Sequence, residues 1–189
     1  MIVALDATAL ITLLDREAAG PFDRVANMRV ERAQDRLAYL ASRVGKSKGG
    51  RLVIPTPAFT EAAVRIDPTS VNRYLQIFER LSGFRVADFE KLAALEYAFM
   101  QRELLNELPS RQRRSALETK AKAKFDQQII AISKVERADY IVTDDDGLAK
   151  YAARFNLETR RVADLPLPTL SDAQIPLDLS PPPDIPEEY

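Results

Sequence analysis

The sequence predicts an α/β protein in which a parallel sheet is covered by helices on both faces. Three observations carry that prediction. Short apolar runs of strand length alternate with amphipathic stretches of helical period along residues 1–163. The first run, Ile2–Leu5, is apolar throughout, as a strand buried on both faces is. Hydrophobic residues make up 46% of the chain and charged residues 29%, enough apolar surface for a packed core.

Ile2–Leu5 is the first strand, and Ala9, Leu10, Leu13 and Leu14 follow at helical spacing. A helix over Glu31–Val44 lines up Ala33, Leu37, Leu40 and Val44, and Gly49–Gly50 separates it from a second strand, Arg51–Ile54. Thr56-Pro57 supplies a hydroxyl N-cap and a proline at the first helical position, which predicts a helix to Arg65. Asp67-Pro68 opens a further helix to Leu81, and Gly83 precedes the third strand, Phe84–Ala87. Helix over Phe89–Leu108 stops at Pro109. The basic stretch Ser110–Lys124 leads into helix that continues to Arg137. Tyr140–Val142 is the fourth strand, Gly147–Phe155 a helix, and Thr159–Val162 the last strand.

Charge divides the chain. No Lys or Arg follows Arg161, whereas Asp164, Asp172, Asp178, Asp184, Glu187 and Glu188 do, so a net charge of −1 conceals a body, 1–163, at +5. Seven of the 12 prolines lie in the same final segment. Residues 164–189 therefore read as an acidic, proline-rich tail without regular structure. The apolar N-terminus carries Asp6 and lacks a basic start, and no run is long enough to span a bilayer. A cytoplasmic protein is the expectation.

Composition also limits the chemistry. Cys and His are both 0, which excludes disulfides, thiol nucleophiles, Cys/His zinc sites and histidine acid–base pairs. No Gly-rich phosphate loop is present. The acids, by contrast, fall at strand ends. Asp6 ends the first strand, and Asp144, Asp145 and Asp146 end the fourth. Glu61 lies a turn into the helix after the second strand, and Asp126 on the helix feeding the fourth. Sites in open parallel sheets form at the carboxyl ends of strands where the strand order reverses. If the first and fourth strands are neighbours, these acids meet there. Such a group repels itself unless a cation neutralises it, and oxygen-only ligands select Mg²⁺ or Mn²⁺. A carboxylate-bound cation pair hydrolyses phosphodiesters without histidine or cysteine.

Each acid also has an ordinary role open to it. Asp6 and the turn Thr143–Gly147 suit helix N-caps, Glu61 suits a first turn, and Asp126 suits a helix surface. Their joint placement is what argues for a site. The cations Arg111, Arg113, Arg114, Lys120, Lys122 and Lys124 lead directly to Asp126 and are candidate RNA contacts, or else a solvated helix face.

Taken together, these motifs resemble the PIN domain family of metal-dependent nucleases, which includes the VapC-type toxins. Ile2-Val-Ala-Leu-Asp6-Ala-Thr8 is similar to the family's opening strand and aspartate, and Ile54-Pro-Thr-Pro-Ala-Phe-Thr-Glu61 to its second strand and acidic helix. Phe125-Asp126-Gln-Gln-Ile-Ile-Ala131 and Tyr140-Ile-Val-Thr143-Asp-Asp145-Asp-Gly-Leu148 are similar to its third and terminal motifs. The resemblance, over Ile2–Val162, implies a three-layer α/β/α sandwich around a parallel sheet of about four to five strands. It implies a Mg²⁺- or Mn²⁺-dependent endoribonuclease acting on single-stranded or structured RNA. The ligands it implies are Asp6, Glu61, Asp126 and Asp145, with Asp144 competing for the place of Asp145 and Asp146 behind it. Thr8 or Thr143 would order a carboxylate or a water. A homodimer and a small antitoxin partner are implied on the same ground. The chain departs from compact toxins by extra length in Pro21–Gly50, around Glu103–Lys124 and in the tail. Haloacid dehalogenase-type phosphatases place a second aspartate where Thr8 stands, and receiver domains need an acid pair after the first strand. The non-enzymatic alternative is a PIN-like binding module.

Overall fold

A computed structural model of the chain describes residues 1–15, 17–66, 68–81, 83–107, 109 and 121–168. Its elements run β1 (Ile2–Leu5), α1 (Ala7–Leu14), β2 (Phe22–Asp23), β3 (Met28–Arg29), α2 (Ala33–Lys46), β4 (Arg51–Pro55) and α3 (Thr56–Arg65). They continue with α4 (Pro68–Arg80), β5 (Phe84–Ala87), α5 (Lys91–Asn106), α6 (Ala121–Val135), β6 (Tyr140–Val142), α7 (Asp146–Arg154), β7 (Glu158–Arg160) and a 3₁₀ turn, Val162–Asp164.

Five strands form one parallel sheet in the order β5-β4-β1-β6-β7. The chain first builds outward from β1 to β4 and β5, then returns through α5 and α6 to build the other half from β6 to β7. Right-handed crossovers in opposite directions put their helices on opposite faces. The core divides accordingly. Val3, Leu5, Leu52, Ile54, Tyr140 and Val142 face a layer that includes Leu10 and Leu13 of α1, Leu37 and Leu40 of α2 and Phe78 of α4. Ala4, Val53 and Ile141, one residue out of step, face Met100 of α5, Ile129, Ile130 and Ile132 of α6 and Leu148 of α7. That period of two on both faces of three adjacent strands makes a register slip costly, because it would exchange the two cores wholesale. The result is the three-layer α/β/α sandwich that the sequence predicts.

Helix α3 sits between the layers: Ala58 belongs to one core and Ala62 to the other. It packs against both α1 and α6, which carries it over the carboxyl edge of the sheet. Gly50 is required where the chain turns into β4, since a Cβ there would stand 2.1 Å from the Val44 carbonyl oxygen.

Several elements differ from expectation. Thr56 is the first helical residue of α3 rather than its cap; Pro55 occupies the N-cap without a side-chain bond. The last strand lies at Glu158–Arg160, because Val162 leaves the sheet edge and is fully buried in the 3₁₀ turn. The antiparallel pair β2–β3 was not expected; its turn is closed by Asp23, whose Oδ1 accepts from the amides of Val25 and Ala26, and by Asn27 at φ 52°. Asp67 and the segment 110–120 lie outside the described residues, as do residues 169–189 of the acidic tail. Up to Leu165 the chain stays packed, with Arg36 donating to the carbonyls of Ala163 and Leu165. No described helix is long and apolar enough to cross a membrane.

Candidate active site

The strand order reverses between β1 and β6, where Leu5 is paired with Val142. One residue further, Asp6 and Thr143 stand side by side. The Asp6 amide donates to the Val142 carbonyl at 3.2 Å, and the alternation along the strands turns Asp6 and Thr143 toward the α5–α7 face, the face of Ala4 and Ile141. Both are buried, at 4% and 2% exposure. The Thr143 hydroxyl donates to Asp6 Oδ2 at 2.5 Å and accepts the Asp145 amide at 3.1 Å. Asp6 Oδ1 caps α1 by accepting the Ala9 amide at 2.7 Å. One threonine thus links the ends of two adjacent strands.

A carboxylate removed from water is destabilised in its charged form. Burial pushes the pKa of Asp6 up to about 7, and the neighbouring charges of Asp144 and Asp145 push the same way against the two hydrogen bonds. Burial also raises Asp144, offset by the Val162 amide, which approaches its Oδ2 at 3.4 Å, and by Arg161. Asp6, Asp144 and Asp145 therefore share one electrostatic neighbourhood at the switch point.

The other candidates stand differently. Asp145 is the N-cap of α7, its Oδ1 accepting the amides of Gly147 and Leu148 at 2.7 and 3.1 Å. Removing this cap in Asp145→Ala is expected to cost about 1 kcal/mol and lower the melting temperature by roughly 2–4 °C. Scanning calorimetry measures this; an unchanged melting temperature would show that α7 does not depend on the cap. Asp146 opens α7 with both oxygens in ion pairs, to Arg24 and Arg161. Glu61 is exposed on α3 and paired with Arg65 one turn on, at 3.0 Å. Asp126 is half-buried on α6, which packs against α3. Thr8 is exposed in the first turn of α1, and its backbone carbonyl accepts from Thr12.

Among the described residues, no three acidic side chains are grouped so as to hold a metal ion. The expected basket of Asp6, Glu61, Asp126 and Asp145 is not closed by the side chains as they lie; the ion pair of Glu61 with Arg65 is one physical reason. The chemistry of the donors nevertheless suits a hard divalent cation: oxygen alone, one carboxylate desolvated, and two further aspartates acting on it. Of the candidate RNA-contacting cations, Lys124 is exposed on α6, next to the exposed Phe125. Lys122 lies in α6, its side chain outside the described residues, as are Arg111, Arg113, Arg114 and Lys120 altogether. Arg24 and Arg161 are the site-rim residues that sequence reasoning missed; Arg24 is 122 positions from its partner, and no spacing signals the contact.

Among known proteins, no family model matches the sequence, and neither does any curated protein. In structure the chain is similar to VapBC2 from Rickettsia felis, whose crystal structure is bound to a DNA fragment from their promoter. The likeness has a TM-score of 0.52 at 16% sequence identity and covers 85% of this chain and 98% of that one. At that identity it is a likeness of fold: the α/β sandwich of this chain matches a structure of the VapBC kind.

Proposed function

We propose that the protein is a Mg²⁺- or Mn²⁺-dependent ribonuclease of the PIN type, hydrolysing phosphodiester bonds at the cleft between β1 and β6. The observation that carries this reading is the buried Asp6 carboxylate at the switch point, facing Asp144 and Asp145 and bonded by Thr143. Asp6, Asp145 or Asp144, Glu61 and Asp126 would hold the cation. A bound divalent cation supplies an activated water and offsets charge developing on the scissile phosphate. The protein's own part is to fix Asp6 through Thr143 and the α1 cap, and to exclude water from that carboxylate. The fold likeness to VapBC2 supports a VapC-like assignment, with a small antitoxin partner and a homodimer belonging to the same proposal.

A second reading is favoured by two observations. With no described group of three acids and with Glu61 bound to Arg65, the fold also suits a PIN-like binding module for RNA or protein without catalysis. Incubating a labelled single-stranded RNA with 1 to 10 equivalents of protein (roughly stoichiometric to excess) and Mn²⁺ separates the two. The nuclease gives cleavage that a chelator abolishes, and Mn²⁺ raises its melting temperature. Intact RNA and an unmoved melting temperature in folded protein remove the nuclease reading and favour the binding module instead.

A further inference from the structure

Asp146 binds two arginines from distant parts of the chain. Arg24, in the β2–β3 turn, places Nη1 2.5 Å from Asp146 Oδ2, and Arg161, just after β7, places Nη2 2.7 Å from Oδ1. Each contact uses one donor of a guanidinium that has five. The Arg24 side chain is 73% exposed and that of Arg161 38%, so both keep donors toward solvent. Exposed ion pairs contribute only about 0–1 kcal/mol to stability. What the shared carboxylate achieves is position: it holds two planar donor forks together beside Asp144 and Asp145. Asp23 of the same hairpin lies near enough for its charge to act unfavourably on Asp144.

A polyanion approaching this edge meets Asp23, Asp144, Asp145, Asp146 and Asp164, and needs cations fixed among them. Guanidinium forks match phosphate oxygens bidentately, which an ammonium cannot do. We propose that Arg24 and Arg161, held by Asp146, are the phosphate-positioning pair of the site and seat the RNA backbone on its β6–β7 side. This rests on the nuclease reading for the identity of the substrate, but concerns binding rather than cleavage. It assigns a role to the extra segment 21–50, which holds Arg24, and a positioning role to Asp146.

The test is fluorescence anisotropy with a labelled single-stranded RNA across a salt series, in chelator and again in Ca²⁺. Replacing both arginines, Arg24→Ala with Arg161→Ala, is expected to weaken binding about tenfold at low salt. It should flatten the log–log salt slope by roughly 1.4, two phosphate contacts on a single strand. A charge-matched control, Arg80→Ala with Arg85→Ala near the opposite sheet edge, should leave both quantities close to wild type. Asp146→Ala keeps both cations and removes a negative charge, so a pure charge effect would tighten binding; loss of positioning weakens it, the expected result. Equal weakening by the control pair, an unchanged slope, tighter binding by Asp146→Ala, or no RNA binding by the wild type would each overturn the proposal. Binding with the expected arginine dependence but no Mn²⁺-dependent cleavage would remove the nuclease reading and keep this one.

Discussion

Asp6→Asn is expected to stabilise the metal-free protein at pH 8 while abolishing the proposed cleavage of RNA. The wild-type carboxyl has a pKa of about 7 in the fold, above the ordinary 3.8, chiefly because it is buried. The folded state therefore binds the proton more tightly than the unfolded chain. This contribution to stability is fully present below about pH 4 and is lost as the pH rises through 7, on the order of 4 kcal/mol in all. An amide of the same shape carries no charge to bury, and asparagine caps a helix as well as aspartate does. In chelator at pH 8 the variant should gain about 2–3 kcal/mol, or roughly 5–10 °C in melting temperature, and near pH 4 almost nothing. Parallel pH–stability profiles for the two proteins would refute a charge cost at Asp6. Mn²⁺ should close the gap: the wild type gains about 2.7 kcal/mol at 100 times its dissociation constant, about the size of the variant's lead, and the amide much less. Removing groups that merely support a metal ligand typically costs 10–100-fold, so if Asp6 holds the cation as proposed, its loss should cost more than about 100-fold in cleavage. Higher stability with lost activity is the signature of a residue kept for function.

The part of this site that was legible in the sequence is the part built by backbone. Ile2–Leu5 and Tyr140–Val142 are apolar because both faces of those strands are buried, and their ends are marked by the first charged or hydroxyl residue, Asp6 and Thr143. Once the two strands are neighbours, the pairing of Leu5 with Val142 brings those end residues together. What depends on rotamers and long contacts was not legible. Glu61 sits where the helix pattern puts it, but its side chain goes to Arg65, a choice between a near partner and a distant one that spacing does not decide. Asp146 meets Arg24 across 122 positions for the same reason. The β2–β3 hairpin has strands of two residues, too short for any period, and Arg32 enters α2 at φ 51° with no side-chain cap, so neither announced itself. At the far end, Val162 reads as strand by composition, yet the core it enters lies beneath the sheet edge.

Thr143→Val is expected to cost about 2–3 kcal/mol in chelator at pH 8, far beyond its change in volume. Valine keeps the branched shape but neither donates to Asp6 Oδ2 nor accepts the Asp145 amide. A donor lost from a buried carboxylate is worth roughly 1.5–3 kcal/mol, against about 1 for a neutral pair. The cost should fall toward half at pH 5, where the Asp6 carboxyl is protonated. Because the threonine bond is among the influences that hold the Asp6 pKa down, its loss moves that pKa further up. Mn²⁺ binding, followed by the melting shift at each pH, should then begin at higher pH than in the wild type, and Thr143→Ser should restore it. A double-mutant cycle isolates the link. In the Asp6→Asn background Thr143→Val should cost only about 1 kcal/mol, leaving a coupling of roughly 1–2 kcal/mol between the two strand ends. Equal costs in both backgrounds would mean that the hydroxyl serves the α7 turn alone, and that Asp6 is held at the switch point by its helix cap and its burial.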